Sequence, residues 1–448
     1  MSNGEQGVDP RGGRGAELSQ SLSRFDATMI VVGTIIGIGI FFNPSRVAHD
    51  VGSPLGALAC WAAGGVIALL GSITYAQLGL VLPHAGGPYV FLREGLNRLF
   101  AFLYGWICLT AIVSAACAVI ALVFVSYVEV LVGELTATTR VATAAGTLAF
   151  LAVINVVGVK LGSGVNNLFS VLKIVTLGAL AFAAFSGDQP VLTAEGSHPA
   201  TFSGVVSAMV AILFTLGGWQ NLTNVAGEMR DAKRDLSVAI RQGVVLVVTV
   251  VLVANVSYLH LLPFAQVEST KTLYADALGT VWGTAGGKAA ALAIACSSFG
   301  ILCGLMLSVP RIYYAMAKDD LLPRFLASVH PRFQTPVAAI VAQAGIAIAL
   351  VFWNDVSKLT DYCVFADWMF FALNGIALLR LRHLRQDAAA LAQKPLERIA
   401  PWAFTLIAIA VTGCVMVEHW ETARYGLLMM LAGAVVFGIG EARKSLRA

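Results

Sequence analysis

Two glycine clusters interrupt apolar stretches of the sequence, and the backbone that they free could bind a charged ligand. The first cluster reads GTIIGIGIF and contains Gly33, Gly37 and Gly39. Each glycine costs about 1 kcal/mol relative to alanine inside a helix. Gly33 and Gly37 have the spacing of closely packed membrane helices, but Gly39 falls on a different helix face. The pattern therefore favours a locally unwound helix over close packing alone.

The second cluster reads FTLGGWQN and places Gly217 beside Gly218. Two amide side chains, Gln220 and Asn221, follow almost at once. Polar groups inside a membrane are costly, so their presence there indicates function. Glycine-interrupted segments at corresponding positions in two halves of a chain indicate a binding site near the middle of the membrane.

The two interruptions suit an α-amino acid as ligand, because unwound backbone inside a membrane needs both donors and acceptors as partners. The half-helix that follows Gly37 would present N–H groups and a positive dipole end to a carboxylate. Free carbonyl groups near Ile35, Phe214 and Gly217 could accept hydrogen bonds from an ammonium. The glycine clusters therefore predict an amino acid site.

Lys173 is a charge deep inside another apolar stretch. It lies 13 residues beyond Lys160, which marks the inner edge of that stretch. At 1.5 Å per residue, Lys173 is roughly 20 Å into the membrane, which is too deep for its amine to reach the surface. Charges at such depth are usually functional. A lysine whose amine is simply satisfied by helix carbonyls is the alternative.

Two acidic residues are further candidates. Asp367 lies beside Trp368 within an apolar stretch. It could be a second proton site, or a carboxylate that is hydrogen-bonded at a helix break or an outer vestibule. Glu228 follows the second glycine cluster and lies near Arg230 in the sequence. We expect these two residues to belong to an ion-pair network at an inner gate.

The elements that position these residues are membrane helices. The chain is 58% hydrophobic and 12% charged, whereas a soluble globular protein is about 25% charged. Apolar stretches of about 18 residues or more, the length that a bilayer requires, recur about twelve times. They lie near 27–48, 54–81, 99–132, 138–157, 165–186, 202–226, 238–262, 287–310, 336–353, 359–379, 399–417 and 424–440.

The basic residues predict the orientation of these spans. If the loops alternate from an inside N-terminus, the inner loops hold 22 of the 29 lysines and arginines, and the outer loops hold six. This bias places both termini in the cytoplasm of a multi-pass inner-membrane protein. Residues 1–24 are polar and are not followed by a signal-peptide pattern, so we expect a disordered cytoplasmic tail.

Several functional classes lack support in the sequence. The seven cysteines lie in or at the edges of spans and include no CxxC pair, which indicates neither a disulfide framework nor a metal site. No GxxxxGK[ST] loop is present for ATP, and no hydrolase motif such as HExxH or GxSxG occurs. We therefore expect a protein that is not an enzyme, has no cofactor and binds no nucleic acid.

Four motifs together resemble the amino acid–polyamine–organocation (APC) superfamily, and most of all the bacterial relatives of the L-type amino acid transporters. The motifs are GTIIGIGIF, PHAGGPYVFLRE, GGWQNLTNVAGEMRDAKRDL and PRIYYAMAKDDLLPRFLASVHPRFQTPVAAIV. The resemblance covers about residues 25–440. It implies a LeuT-type all-α fold of twelve transmembrane helices, with helices 1 and 6 unwound at mid-membrane. The implied parts are inverted repeats at 25–190 and 200–380, a cytoplasmic loop at 381–398, two helices within 399–440 and a tail at 441–448.

The resemblance also implies roles for residues around the two interruptions. The family's carboxylate-binding stretch falls on Ile36, Gly37, Ile38 and Gly39, and its ammonium-binding carbonyls fall on Ile35, Phe214 and Gly217. Phe214 matches an aromatic residue that caps the substrate on its outer side. Relatives often carry serine at the position of Ile38, and some proton-sensing relatives carry an acid at the position of Gln220. The isoleucine removes a hydroxyl contact and predicts a more apolar pocket, and the neutral amide of Gln220 means that a carboxylate trigger is absent there. Leu216, Ile38 and Phe214 indicate a neutral, small or medium apolar amino acid.

The resemblance adds further expectations outside the pocket. The amine of Lys173 would lie where sodium-driven relatives hold a sodium ion, with Ser297 and Ser298 as neighbours. Proton coupling through Lys173 and a fixed ammonium that supports the first interruption are both consistent with this placement. Tyr89 would belong to the inner gate. The loop GELTATTR contains no cysteine, so we expect no disulfide-linked heavy chain of the kind that mammalian L-type proteins bind.

These observations predict a secondary active transporter, a permease or an exchanger, that moves a neutral L-amino acid by alternating access. The alternative within transport is an antiporter for a cationic amino acid or polyamine held by Asp367. The alternative outside transport is an amino acid sensor on a transporter scaffold. The particular amino acid, the coupling ion, the direction of transport and the oligomeric state stay open.

Overall fold

The structure is a computed structural model that describes most of the chain as helices. The described residues are 20–37, 39–83, 86–186, 197–270, 273–353, 356–418 and 420–445. Among them the chain forms no β-strand, and a single main-chain bridge joins Leu22 to Met229.

The α-helices are named in chain order. They are α1 (Arg24–Ile35), α2 (Gly39–Val51), α3 (Pro54–Val81), α4 (Pro88–Gly95), α5 (Arg98–Ile107), α6 (Val113–Val132), α7 (Ala137–Val157), α8 (Val159–Phe185), α9 (Phe202–Thr215), α10 (Asn221–Asn224), α11 (Ala232–Leu261), α12 (Phe264–Ser269), α13 (Leu273–Ser308), α14 (Pro310–Lys318), α15 (Val337–Trp353), α16 (Val356–Leu384), α17 (Gln386–Ala390), α18 (Pro395–Glu418) and α19 (Trp420–Ser445). A π-helix, Cys108–Ile112, joins α5 to α6, and short 3₁₀ helices occupy Ala226–Glu228 and Arg324–Ala327.

Seven helical segments within the described residues are long and apolar enough to cross a membrane. They are Pro54–Val81, Arg98–Glu129, Ala137–Val157, Gly162–Phe185, Ala232–Leu261, Leu273–Lys318 and Pro395–Glu418. Three shorter apolar helices accompany them, at Phe202–Thr215, Val337–Phe352 and Gly426–Ile439. The all-helical membrane class is thus confirmed, while the number of twelve spans stays a prediction.

The segment Leu273–Lys318, which contains α13, lies at the centre of the bundle. In its most apolar stretch 78% of the residues are buried, compared with 28% to 53% in the other six segments. Its helix α13 packs against α6 and α8, and α8 in turn packs against α1. Many of the apolar residues that remain exposed lie on the other helices, for example Phe182 of α8 and Leu406 of α18. A polytopic protein needs such an apolar outer face toward lipid.

The first glycine cluster separates α1 from α2. Helix α1 begins with a capping box in which Ser23 and Asp26 bond each other's backbone N–H groups, and it ends at Ile35. A Cβ atom on Gly33 would lie 2.4 Å from the Asn166 side-chain oxygen on α8. This glycine is therefore required for close helix packing, and the interruption itself lies after Ile35.

The second glycine cluster separates α9 from α10. Gly218 has a φ of 111°, and a Cβ atom there would lie 2.6 Å from the backbone oxygen of Thr34. The Thr34 hydroxyl also donates a 3.1 Å hydrogen bond to the Gly218 carbonyl. Only glycine allows this backbone conformation and this approach. The two interruptions are therefore in direct contact, although about 180 residues separate them in the sequence.

Candidate functional site

A cavity of about 180 Å³ lies where the two interruptions meet. Its walls come from both interruptions, the π-helix, α13 and α16. The predicted site residues that line it are Ile35, Gly37, Gly39, Phe214, Gly217, Gln220 and Asp367. Ile38 lies outside the described residues.

The side chains of Ile36 and Leu216 do not line this cavity, contrary to the expectation for Leu216. Leu216 is 2% exposed and packs toward Gly64 of α3. Ile36 is 1% exposed, and its N–H group donates to the Val32 carbonyl at 2.9 Å. That N–H group is therefore not free for a carboxylate. The turns that end the two helices rotate both side chains away from the cavity.

The polar backbone at the cavity lies mainly at the start of α2. This helix begins at Gly39, and the first N–H groups of a helix have no partner inside the helix. A Cβ atom on Gly39 would lie 2.7 Å from the Thr215 hydroxyl oxygen. Asn43, which no sequence motif singles out, donates to that same hydroxyl oxygen at 2.6 Å. Helix α2, which follows the first interruption, and α9, which precedes the second, are therefore held together beside the cavity.

The carbonyl groups at the second interruption are partly engaged in the turn. The Phe214 carbonyl accepts from the Gly217 N–H group at 3.3 Å, and the Gln220 side chain accepts from the Gly218 N–H group at 2.9 Å. The Gln220 side-chain oxygen therefore satisfies a backbone donor of the turn. Phe214 is 44% exposed at the cavity, which places an aromatic ring at its rim.

Lys173 reaches the first interruption from α8. Its ammonium donates to the carbonyl oxygen of Gly33 at 2.9 Å and to that of Ile36 at 2.8 Å. The side chain is 1% exposed. These two carbonyls lie where the helix ladder of α1 stops, and such groups need partners from outside the helix. Lys173 therefore supplies the donors that the broken helix lacks.

The expected serine neighbours of Lys173 do not bond its ammonium. The Ser298 hydroxyl donates to the Ile294 carbonyl at 2.9 Å, and the buried Ser297 hydroxyl has no hydrogen-bond partner in the described part of the chain. Gly300 of α13 does approach Lys173: a Cβ atom there would lie 3.3 Å from Nζ. Two adjacent serines in a helix point to different faces, so the sequence could not show which residue faces Lys173.

Asp367 lines the cavity together with Tyr104 and Cys108. It is half-buried and makes no hydrogen bond or ion pair with any residue that the structure describes. Cys108 belongs to the π-helix, an irregularity that often occurs at functional sites. A carboxylate in such surroundings is stable only if a proton or a cation neutralises it.

Within the described residues Glu228 forms its ion pair with Arg311 and not with its sequence neighbour Arg230, and the inner-gate role stays a prediction. Glu228 is fully buried and forms a bidentate pair with Arg311, with distances of 2.5 Å from Nε to Oε1 and 3.1 Å from Nη2 to Oε2. Arg230 instead donates from Nε to the backbone oxygen of Ser21. Arg311 is the second residue of the motif PRIYYAMAKDD. The charge count places it in a loop, whereas folding buries it completely.

Two further groups of contacts lie near this pair or in the adjoining motifs. The N–H group of Leu22 donates to the Glu228 carbonyl at 3.0 Å, and the Leu22 carbonyl accepts from the Arg230 N–H group at 3.0 Å. The Tyr89 hydroxyl donates to Asp319 at 2.5 Å, and Arg93 pairs with the same carboxylate. Tyr89 therefore belongs to a second polar cluster, in which the acidic residue, Asp319, caps the C-terminus of α14.

Near the C-terminal end of α2, both ring nitrogens of His198 lie next to carbonyl oxygens. Nε2 lies 2.8 Å from the His49 carbonyl oxygen, and Nδ1 lies 3.2 Å from the Pro199 carbonyl oxygen. Only the doubly protonated ring donates to both. The Pro199 and His49 carbonyls therefore raise the pKa of His198 above its ordinary value.

The fold and the cavity define a helical membrane protein whose ligand site lies between two interrupted helices. The chain belongs to the amino acid permease family, whose model matches residues 22–434. The resemblance to the APC superfamily is thereby confirmed.

Three characterised proteins are similar to the chain over nearly its whole length. It is 30% identical to the serine/threonine exchanger SteT of Bacillus subtilis (strain 168), covering 94% of this chain and 96% of that protein. It is 28% identical to the b(0,+)-type amino acid transporter 1 of Homo sapiens, covering 97% and 90%. It is 26% identical to the cystine/glutamate transporter of Homo sapiens, covering 89% and 81%.

Proposed function

We propose that the chain is a secondary active transporter that exchanges neutral L-amino acids across the inner membrane by alternating access. The observation that carries this proposal is the cavity between the two helix interruptions. It combines the start of α2, whose first N–H groups have no partner inside the helix, with apolar walls from residues such as Ile301, Phe214 and Phe371. Such a combination suits a ligand with a charged head and a small apolar or weakly polar side chain.

In this proposal, the substrate carboxylate binds the N–H groups of Gly37 and of Gly39, where α2 starts. The helix dipole there favours a negative charge. The substrate ammonium binds the carbonyl group of Ile35 at the first interruption and that of Gly217 at the second. Phe214 covers the occupied site from the outer side.

The same proposal includes the arrangement of the whole chain. It has twelve spans in two inverted repeats, 25–190 and 200–380, followed by two further helices, and both termini lie in the cytoplasm. The buried pair of Glu228 and Arg311 and the main-chain pairing of Leu22 close the path on the inner side. Transport then requires these contacts to open while Phe214 closes.

Proteoliposomes test the function directly. Radiolabelled L-serine, L-threonine, L-alanine and L-leucine would be offered outside, with and without internal amino acid and with and without an inward proton gradient. Exchange predicts uptake only into loaded vesicles, independent of the gradient. Uptake that follows the gradient into empty vesicles would show a proton-coupled symporter instead. Absence of uptake for all four substrates would refute the neutral amino acid assignment.

Asp367 favours a second candidate, a cationic amino acid or polyamine antiporter. A carboxylate in the cavity without a partner among the described residues could pair with a substrate cation. Hydrogen bonds to charged groups contribute about 1.5–3 kcal/mol, so Asp367→Asn would lower L-arginine uptake by about tenfold or more. If the neutral assignment holds, the same variant keeps L-serine exchange and the wild-type protein ignores L-arginine and putrescine.

A further inference from the structure

A second cavity, of about 870 Å³, opens where α4, α5 and α14 end or begin. We call it the basic pocket, and its lining has four basic and two acidic side chains. The lining residues are Arg93, Arg98, Lys318, Asp319, Asp320, Leu322, Pro323 and Arg324. The pocket therefore carries a net charge of +2 if every group has its ordinary charge at neutral pH.

Both carboxylates of the basic pocket are already engaged by its own arginines. Arg324 pairs with Asp320 through two hydrogen bonds, of 2.6 Å and 3.2 Å. Arg93 pairs with Asp319, which also accepts from the Tyr89 hydroxyl at 2.5 Å. These pairs leave Arg98 and Lys318 outside the ion pairs formed within the pocket lining, although Arg98 also lies 4.0 Å from the Glu441 carboxylate.

Those two residues, Arg98 and Lys318, retain unused donors. One Arg98 nitrogen bonds the backbone oxygen of Asp319 at 3.1 Å and lies 4.0 Å from a Glu441 carboxylate oxygen, a long ion pair. The Arg98 side chain is 50% exposed. The Lys318 ammonium lies 5.1 Å from the centre of the Tyr314 ring, a cation–π contact that leaves its hydrogen-bond donors available. An anion in the pocket could therefore bind both residues.

The basic pocket lies at the boundary between the apolar and polar parts of the protein. Arg98 is the first residue of one candidate membrane span, and Lys318 is the last residue of another. Large apolar side chains are exposed at positions that lie next to the pocket residues in the sequence. Phe325 is 64% exposed next to Arg324, and Ile439 is 51% exposed two residues before Glu441. A ligand with a charged head and hydrocarbon chains matches this combination.

We propose that the basic pocket binds the phosphate headgroup of an anionic phospholipid. Arg98 and Lys318 contact the phosphate, and the acyl chains lie along the exposed apolar residues. Basic pockets between membrane helices are suited to such headgroups, and a guanidinium matches the geometry of phosphate oxygens. Free inorganic phosphate shares the headgroup chemistry but lacks the acyl chains, so the two sources can be separated by experiment.

The test measures lipid binding to the purified full-length protein in a neutral detergent. Native mass spectrometry would compare retention of phosphatidylglycerol with that of phosphatidylcholine of the same acyl chains, and inorganic phosphate would be offered as competitor. We expect phosphatidylglycerol to bind preferentially, with no displacement by millimolar-range phosphate. Equal retention of the two lipids would overturn the proposal. Displacement of phosphatidylglycerol by phosphate would show a free-anion site and would overturn the lipid assignment.

A double variant assigns the binding to this pocket. Each basic residue near an anionic membrane surface is worth roughly fivefold in affinity, so Arg98→Gln with Lys318→Gln should weaken phosphatidylglycerol binding about thirtyfold. The control is Arg332→Gln with Lys394→Gln, which removes the same charge from exposed residues outside the pocket. Equal weakening in both double variants would reduce the effect to overall charge and refute the site. The wild-type lipid comparison decides the proposal even if a variant does not fold.

Discussion

Replacing Lys173 with methionine should detach the first helix interruption from α8. The substitution keeps most of the side-chain volume but removes the donors that bond the Gly33 and Ile36 carbonyls at 2.9 Å and 2.8 Å. A buried acceptor that loses its partner costs about 1–3 kcal/mol. The two carbonyls together therefore represent about 2–6 kcal/mol of local order at the interruption.

The effect on global stability should be smaller than this figure. Methionine also removes the desolvation penalty of a buried ammonium, which is several kcal/mol and acts in the opposite direction. The substrate site depends on the interruption itself, so it loses the whole stabilisation of that segment. Even the lower figure of about 2 kcal/mol corresponds to roughly thirtyfold in an equilibrium. We therefore expect affinity for the exchanged amino acid to fall by about thirtyfold or more.

Concentration-dependent exchange in proteoliposomes measures this affinity, with the unfolding midpoint in detergent recorded in parallel. Lys288→Met is the matched control, because Lys288 is exposed at α13's outer surface. The control should exchange as the wild type does. A Lys173→Met protein with wild-type affinity and wild-type exchange rate would refute the assigned role of the two hydrogen bonds.

Three other predictions follow from contacts of the described residues. Glu228→Gln should destabilise the protein by about 3–5 kcal/mol, because it leaves the Arg311 guanidinium buried without its counter-charge; unfolding in detergent would measure this, and a double variant with Arg311→Met should lose less than the sum of the single losses. Gly218→Ala should reduce exchange more than tenfold, because its Cβ atom would lie 2.6 Å from an α1 backbone oxygen at a φ of 111°, whereas Gly146→Ala, with open space around it, should leave exchange unchanged. His198 has a raised pKa, so its contribution to stability is fully present below about pH 6.5 and is lost as pH rises through the folded-state pKa. Between pH 6 and pH 8 the unfolding midpoint temperature of the wild type should therefore fall more than that of His198→Gln. Parallel curves of midpoint against pH for the two proteins would contradict the assignment.

The membrane class and the family follow from features that act locally along the chain. Long apolar stretches satisfy their backbone only as helices inside a membrane, so composition and length alone predict the helical class. Glycine clusters act equally locally, since each residue weakens the helix that contains it. The structure accordingly ends α1 at Ile35 and α9 at Thr215, next to the two clusters.

The residues that meet across the site depend on distances that no local pattern contains. Arg311 is 83 positions from Glu228, and Asp319 is 230 positions from Tyr89. Among several basic residues, the sequence offers no reason to prefer one distant partner over a near one. Sequence spacing favours the near residue Arg230, but in the structure Arg230 donates to the Ser21 backbone oxygen instead. Burial of Arg311 by the surrounding helices decides the pairing, because a buried carboxylate requires a buried cation.

Side-chain direction at the interruptions is also decided by the tertiary structure. A helix periodicity predicts which face a residue occupies, but it no longer applies once the helix unwinds. Leu216 therefore packs toward α3 although its neighbour Phe214 reaches the cavity. The sequence by itself determined a helical membrane transporter with two interrupted helices. The tertiary structure decided which groups bond the backbone at those interruptions, because unwound backbone takes its hydrogen-bond partners from the side chains that other helices bring to it.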